Sequence, residues 1–512
     1  MKKQFIVHPL LFAAYPALLL FSRNIYRIPA AYCLLVIAII VTLASLLWIL
    51  LAFILKNTAK AALITSLVMV WFFFFGPVFA ALRGQAALGF FILRQRHFFP
   101  LWTLVFALAI FFTMTKRIHL NNLMKILDLV STSLVAFCLI NIAGYGLGSK
   151  TMPARHKTKS NIGMQKIDTG NQKSHINSVR GPDVYYIILD SYSSYDNLKK
   201  FYNFDNRDFY AYLTRKGFYI AQKSRSNYAT TGPSLASSLN MEYINRDIAD
   251  ADRNLGLPKI TLRGGNNKVM DIFKSMGYKC ISVGAPNRYA DLSIVHKYRE
   301  KLAEYIFYKY VLAMTPVYKL SDIYTLSSNS YREEVLYYFE QLARISATES
   351  PKFVFAHIGS PHPPFFVFGP NAERFSLSKI FKSSPRKIYL YQTIFINKKV
   401  EELIDTILSQ SKDPPIIILQ SDHGFTIDSP SVYQLDERWL TERFPILNAY
   451  YLPGDAKRLL YDSITPVNTF RVILNYYFNA NYELLKDENW LSPYGRPYDK
   501  FVNVTQKIKD ID

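Results

Sequence analysis

Three things are scarce in this sequence, and each shortage narrows what the chain can be. Cysteine occurs only at positions 33, 138 and 280. Cys280 stands alone after residue 150, which excludes an intradomain disulfide there and any cysteine-built metal site. Acids are nearly absent from residues 1–149, where twelve Lys or Arg face the single carboxylate of Asp128. Soluble domains do not combine so few acids with so much Leu, Ile, Phe and Trp. Internal repeats and low-complexity runs are missing, which excludes solenoid and fibrous architectures. The formal charge of +22 invites a nucleic-acid reading until it is divided along the chain. Residues 150–180 hold seven bases and one acid, whereas 181–512 hold 41 bases against 36 acids. The excess therefore belongs to the first part and its linker, placed by an anionic membrane surface, and not to a nucleic-acid partner.

Five apolar stretches fill the opening residues: 6–21, 28–54, 61–82, 98–114 and 123–147. A helix needs about 20 mainly apolar residues to cross the hydrocarbon core, so a five-helix membrane domain over 1–149 is expected. Pro9, Pro16 and the lack of a small-residue cleavage site argue against a cleaved signal peptide. Bases near Lys2, Lys56 and Lys116 outnumber those near Arg23 and Arg83, which puts the N-terminus in the cytoplasm. Everything after residue 150 is then extracytoplasmic, held at the cytoplasmic (inner) membrane. Residues 150–180 read as a basic polar tether, with His156 and His175 as solvated loop residues.

From residue 181 to 512 the pattern becomes one of short β-rich runs alternating with helical segments. Strands are expected at 184–189, 278–283, 352–358, 415–420 and 447–452. Helices are expected at 207–216, 267–275, 333–345, 388–408 and 465–477. The alternation implies a doubly wound, mainly parallel α/β domain, whose ligand site lies off the carboxyl ends of the strands. Four features fall there. Asp190 ends the first strand. Asp422-His423-Gly424 ends the fourth, pairing a hard oxygen with an imidazole nitrogen, which suits a borderline divalent ion such as zinc or manganese. The third strand runs through His357 towards His362, the second of the pair lying in a proline-braced loop. Thr231, in Thr230-Thr231-Gly232-Pro233-Ser234, sits at a helix start with Gly232 as cap and Pro233 as first helical residue, where free amides favour an oxyanion. A threonine hydroxyl beside a divalent metal is a nucleophile for phosphorus, and Thr230 is the rival in the same loop.

Together these motifs resemble the alkaline phosphatase/sulfatase superfamily, and most of all the membrane-anchored branch with lipoteichoic acid synthase and the lipid A phosphoethanolamine transferases. The resemblance implies an N-terminal multi-span helical domain followed by a sulfatase-like domain. It implies that Asp190, Thr231, Asp422 and His423 bind one divalent metal, with Thr231 also the nucleophile. His357 and His362 then match the histidine region that contacts the phosphate or leaving group, or holds a second metal in two-metal relatives. Arg443, in Glu442-Arg443-Phe444-Pro445, is an anion-contact candidate. Two departures stand out. Formylglycine sulfatases require Cys or Ser followed by x-Pro-x-Arg, and this chain has Thr231 and Leu235 at those two places. The phosphoethanolamine transferases use several disulfides, and this domain has only Cys280. The expected activity is transfer of a phosphoethanolamine or phosphoglycerol head group onto a cell-envelope acceptor, with a membrane lipid or envelope glycan as substrate. The alternatives are a phosphatase or phosphodiesterase of the envelope and a non-catalytic envelope binding protein.

Overall fold

The computed structural model describes residues 6–25, 28–84, 95–115, 120–151, 181–244, 267–284, 290–294, 307–317, 330–362, 368–369, 371, 373, 383–426, 437–491 and 501–511. The tether at 150–180 lies almost wholly outside the described residues. The chain divides into two compact units. The first comprises Met1–Gln172 together with Lys297–Tyr324, and the second Lys173–His296 together with Thr325–Asp512. A stretch inside the expected 181–512 domain thus groups with the N-terminal helices.

The N-terminal unit contains α1 (His8–Arg23), α2 (Ala30–Leu55), α3 (Thr58–Phe73), α4 (Phe75–Gly84), α5 (Gln95–Thr115) and α6 (Leu120–Thr151). Where five spans are expected, three helices among the described residues are long and apolar enough to cross a membrane, lying in α2, α5 and α6. A fourth is obtained if α3 and α4, bent by 49° at a break, count as one. The first stretch yields only 16 helical residues, roughly 24 Å of helix. One face of α2 packs inward through Cys33, Val36, Ile40 and Ala44, and the rest of its apolar side chains are largely exposed, Phe53 by 82%, as lipid-facing residues are. Asp128 of α6 closes the start of α1, its Oδ1 accepting from the amides of Val7 (3.0 Å) and His8 (2.9 Å). The lone acid of this region therefore satisfies helix-start amides that have no intrahelical partner.

The second unit is built on a seven-stranded sheet: β1 (Val184–Leu189), β2 (Tyr219–Ile220), β3 (Lys279–Val283), β4 (Leu292–Ile294), β5 (Lys352–Ile358), β6 (Ile416–Gln420) and β7 (Asn448–Tyr451), in the order β2-β7-β6-β1-β5-β3-β4. Strands β6, β1, β5, β3 and β4 are parallel. Strand β7 runs antiparallel to β6, contrary to its expected resemblance to the parallel strands. The chain leaves the carboxyl end of β6 and starts β7 from that same end, without a crossover to reverse it.

Every residue of β1 is buried, as strands covered on both faces must be. On one face Val184, Tyr186 and Ile188 pack with Phe353, Phe355, Ile416 and Ile418 against α9 (Thr231–Asn240), α10 (Lys268–Ser275) and α14 (Pro466–Phe478). Between β1 and α9 lie α7 (Tyr195–Tyr202) and α8 (Arg207–Arg215). The remaining crossovers include α11 (Ser330–Ser346) and α12 (Pro385–Gln410), with buried Leu342 and Ile396, and α13 (Glu437–Arg443) precedes β7. Each fully buried Leu, Ile or Phe contributes about 1.5–3 kcal/mol. At the amino edge Lys352 and Asp183 form an ion pair of 2.7 Å, their side chains 1% and 6% exposed.

Candidate active site and metal centre

Strand order alone explains why distant residues meet. β1 lies between β5 and β6, all three parallel, so their carboxyl ends stand side by side at about 4.8 Å spacing. Asp190 follows β1, His357 is the penultimate residue of β5, and Asp422-His423 follow β6. The fourth contribution is α9, whose first helical residue is Thr231 with Thr230 as its cap. The helix thus begins two residues before Pro233, earlier than expected. Ser234 locks it to β6, donating from Oγ to the Asp422 carbonyl (2.6 Å) and contacting that of Tyr228 (3.0 Å).

The side chains converge closely. Thr231 Oγ1 lies 3.2 Å from His423 Nε2. The same nitrogen is 3.4 Å from Asp422 Oδ2 and 3.8 Å from Asp190 Oδ1. His357 Nε2 approaches Asp190 Oδ2 at 3.3 Å without hydrogen-bond geometry. His362 faces His423 with ring centroids 6.1 Å apart. Ligand atoms of Asp190, His362 and His423 lie within 4.8 Å of one another, as do those of Asp190, His357 and Asp422. All the expected ligand and histidine positions are therefore gathered around Asp190. Arg443 adjoins them, with Nη2 3.1 Å from His423 Nε2, Nε donating to the Ala229 carbonyl (2.7 Å) and Nη1 to that of Gly424 (3.1 Å).

Burial sets the electrostatics. Asp190 would be pushed up by burial, but His362, His357 and His423 outweigh this and hold its carboxyl well below the usual range. Asp422 is pushed up to about 6, by burial first and then by the charge of Asp190. Two carboxylates in one dry site separate in this way. His423 is held well below its ordinary value, first by burial and then by Arg443. The imidazole is thus neutral, and its Nδ1 lies 3.1 Å from the Gly424 carbonyl. A proton on Nδ1 leaves the Nε2 lone pair facing Thr231 and the carboxylates, as a metal ligand requires.

The donor set fits a divalent cation. It combines buried carboxylates with imidazole nitrogens, and two of its atoms, Asp422 Oδ2 and His357 Nε2, are buried without a hydrogen-bond partner among the described residues. Thr230 Oγ1 is also buried and without a hydrogen-bond partner among the described residues, but it is Thr231 whose hydroxyl reaches His423.

A family model described as Sulfatase matches residues 182–471, more than half of the chain. The chain belongs to the sulfatase family. Sulfatase-family enzymes act on esters. Solved structures similar to this chain include the C-terminal periplasmic domain of EcEptC from Escherichia coli (13% identity, 64% of this chain and 94% of that one, TM-score 0.41). Another is the lipooligosaccharide phosphoethanolamine transferase EptA from Neisseria meningitidis (12% identity, 91% and 94% covered, TM-score 0.39). A third is a putative sulfatase from Bacteroides thetaiotaomicron (12% identity, 60% and 72% covered, TM-score 0.36). No curated protein matches the sequence. Within its sulfatase-family domain, Leu235 stands where formylglycine sulfatases place arginine, and it is 2% exposed in the core beside β1. That position serves packing here.

Ser191 joins the site without any sequence pattern that singles it out. Its amide donates to Asp422 Oδ1 (3.1 Å), and its hydroxyl lies 3.1 Å from His423 Nδ1 and 3.3 Å from Asp190 Oδ1. Its φ of 65° is left-handed, an unusual conformation for a serine.

Proposed function

We propose that the protein is a metal-dependent transferase that moves a phospho-head-group, of phosphoethanolamine or phosphoglycerol type, onto a cell-envelope acceptor through a covalent phospho-threonine at Thr231. The observation that carries this reading is the Thr231 hydroxyl at the first residue of α9, 3.2 Å from His423 Nε2 and beside two buried carboxylates. Asp190, Asp422, His423 and Thr231 Oγ1 would hold a divalent ion, zinc or manganese by the chemistry of the set. When bound, such an ion lowers the pKa of a hydroxyl and offsets the charge of a phosphoryl group.

Thr231 Oγ1 gives its proton to solvent and attacks phosphorus, forming the new P–O bond as the bond to the donor's alcohol breaks in line, and it takes a proton back when the acceptor displaces it. The first-turn amides of Thr231 and Gly232, the α9 dipole and the Arg443 guanidinium face the non-bridging oxygens. His357 or His362 protonates the departing alcohol and later removes the proton of the acceptor hydroxyl, a role that contributes about 10²–10⁴-fold. The acceptor then attacks the same phosphorus and releases Thr231. Neutral Leu235 and Thr231 remove the route through formylglycine. The membrane helices and basic tether support a membrane lipid or envelope glycan as substrate. The flanking bases support a catalytic domain on the extracytoplasmic side of the cytoplasmic membrane.

The test uses the full chain in detergent with added zinc or manganese and a fluorescent phosphatidylethanolamine or phosphatidylglycerol. Mass spectrometry should find the head-group adduct on the Thr231 peptide, and Thr231→Ala should lower turnover at least 10³-fold while Thr230→Ala stays active. An adduct on Thr230 with active Thr231→Ala would overturn the assignment. Alcohol release that is indifferent to added envelope glycolipid, with free phospho-head-group as product, would make the protein a hydrolase.

A further inference from the structure

We infer that residues 307–317 are an anchoring element, by which the chain leaves the sulfatase-family domain after β4, enters the N-terminal helical unit and completes its broken α3–α4 helix. The inference is independent of the catalytic reading. Residues 307–313 are helical, and Lys297–Tyr324 belongs to the unit of α1–α6. Phe307 is fully buried and Val311 is 8% exposed, in one cluster with Phe12, Phe21, Met69 and Phe73 of that unit. Tyr308 sets its ring edge-on to Tyr32, with centroids 6.4 Å apart.

The backbone contact is more telling than the packing. α3 stops at Phe73 and α4 starts at Phe75, and a helix that restarts leaves its first amides without intrahelical partners. In an apolar bundle such groups must find a partner inside the protein. The Gly76 amide donates to the Met314 carbonyl at 2.9 Å. Glycine is needed for that approach, because a Cβ at position 76 would stand 2.1 Å from the Ala313 carbonyl oxygen. The 307–317 segment thus supplies the hydrogen bond that the break removes and fills the adjoining apolar space. Its chain ends lead back to β4 on one side and to α11 on the other. A second attachment, separate from the 150–180 tether, therefore holds the catalytic domain to the helical unit.

The test is made on the full chain, with a protease site in a Gly-Ser linker inserted into the tether and an affinity tag at the N-terminus. After complete cleavage in mild detergent, the C-terminal fragment should co-elute with the N-terminal one. Phe307→Asp combined with Val311→Asp should lower the retained fraction at least 10-fold. Gly76→Val attacks the same contact from the opposite partner and should release the fragment with the segment's own sequence intact. Turnover of a chromogenic ester by the released fragment verifies that its domain is folded. Free elution of the wild-type fragment would overturn the proposal, and so would wild-type retention in both variants.

Discussion

Gly424 offers the sharpest test of how the site is held. A Cβ at this position would meet the carbonyl oxygens of Glu442 at 2.4 Å and of Arg443 and Pro445 at 3.0 Å. All three are backbone atoms, so no side chain can rotate away. Restoring the shortest contact to an ordinary ~3.4 Å requires the two backbones to separate by about 1.0 Å. The Gly424 amide donates to the Arg443 carbonyl at 2.7 Å and its carbonyl accepts from Arg443 Nη1 at 3.1 Å, so the separation strains both bonds. His423 and Arg443 move apart as a result. Overpacking of this kind costs about 1–3 kcal/mol, or some 1.5–5 °C in melting temperature for a domain of this size. A misplacement near 1 Å in the reacting groups costs on the order of 10²-fold in rate. Thermal unfolding and ester turnover of Gly424→Ala, measured side by side, check both numbers. A melting temperature within about 1 °C of wild type together with turnover within about twofold would refute the argument, since a change this close to the site would then be absorbed without cost.

Other consequences are less local. Lys352→Met leaves Asp183 buried with its amide and Ser350 contacts but without its cation; unfolding of the soluble domain should show a loss of about 3–5 kcal/mol, with Asp183→Asn in the same background recovering part of it. Chelation should lower the melting temperature, because an ion present at about 100 times its Kd stabilises by about 2.7 kcal/mol, and Asp422→Asn should abolish that difference. Ser191→Ala should weaken zinc or manganese binding in calorimetry, with Ser191→Thr closer to wild type, because Ser191 contacts His423 and both carboxylates.

Much of the second unit was legible beforehand because its signals are local. The runs Val184–Leu189 and Lys352–Ile358 are continuous and β-rich, and they form strands over those same residues. Asp190 and Asp422-His423 could be placed at a sheet edge by the simple rule that ligands gather off the carboxyl ends of parallel strands. The two-residue β2 and three-residue β4 carry too few side chains for any periodicity to register. The start of α9 was displaced because Pro233 also suits a third helical position, and what decides is the bond from Ser234 to the end of β6. The apolar stretch at 61–82 concealed its break, since Phe73 and Phe75 are equally apolar on both sides and only the contact with Met314 distinguishes them.

By itself the sequence determined that apolar helices precede an α/β domain, that the basic excess belongs to residues 1–180, and which residue types could carry the chemistry. These follow from composition, periodicity and turn residues, all properties of neighbours along the chain. Tertiary structure alone decided that β1 lies between β5 and β6, that Thr231 reaches His423, that Ser191 joins the ligands, and that residues 307–317 belong with the helices. Those facts depend on strand order and on contacts between residues far apart in the chain, which no local pattern encodes.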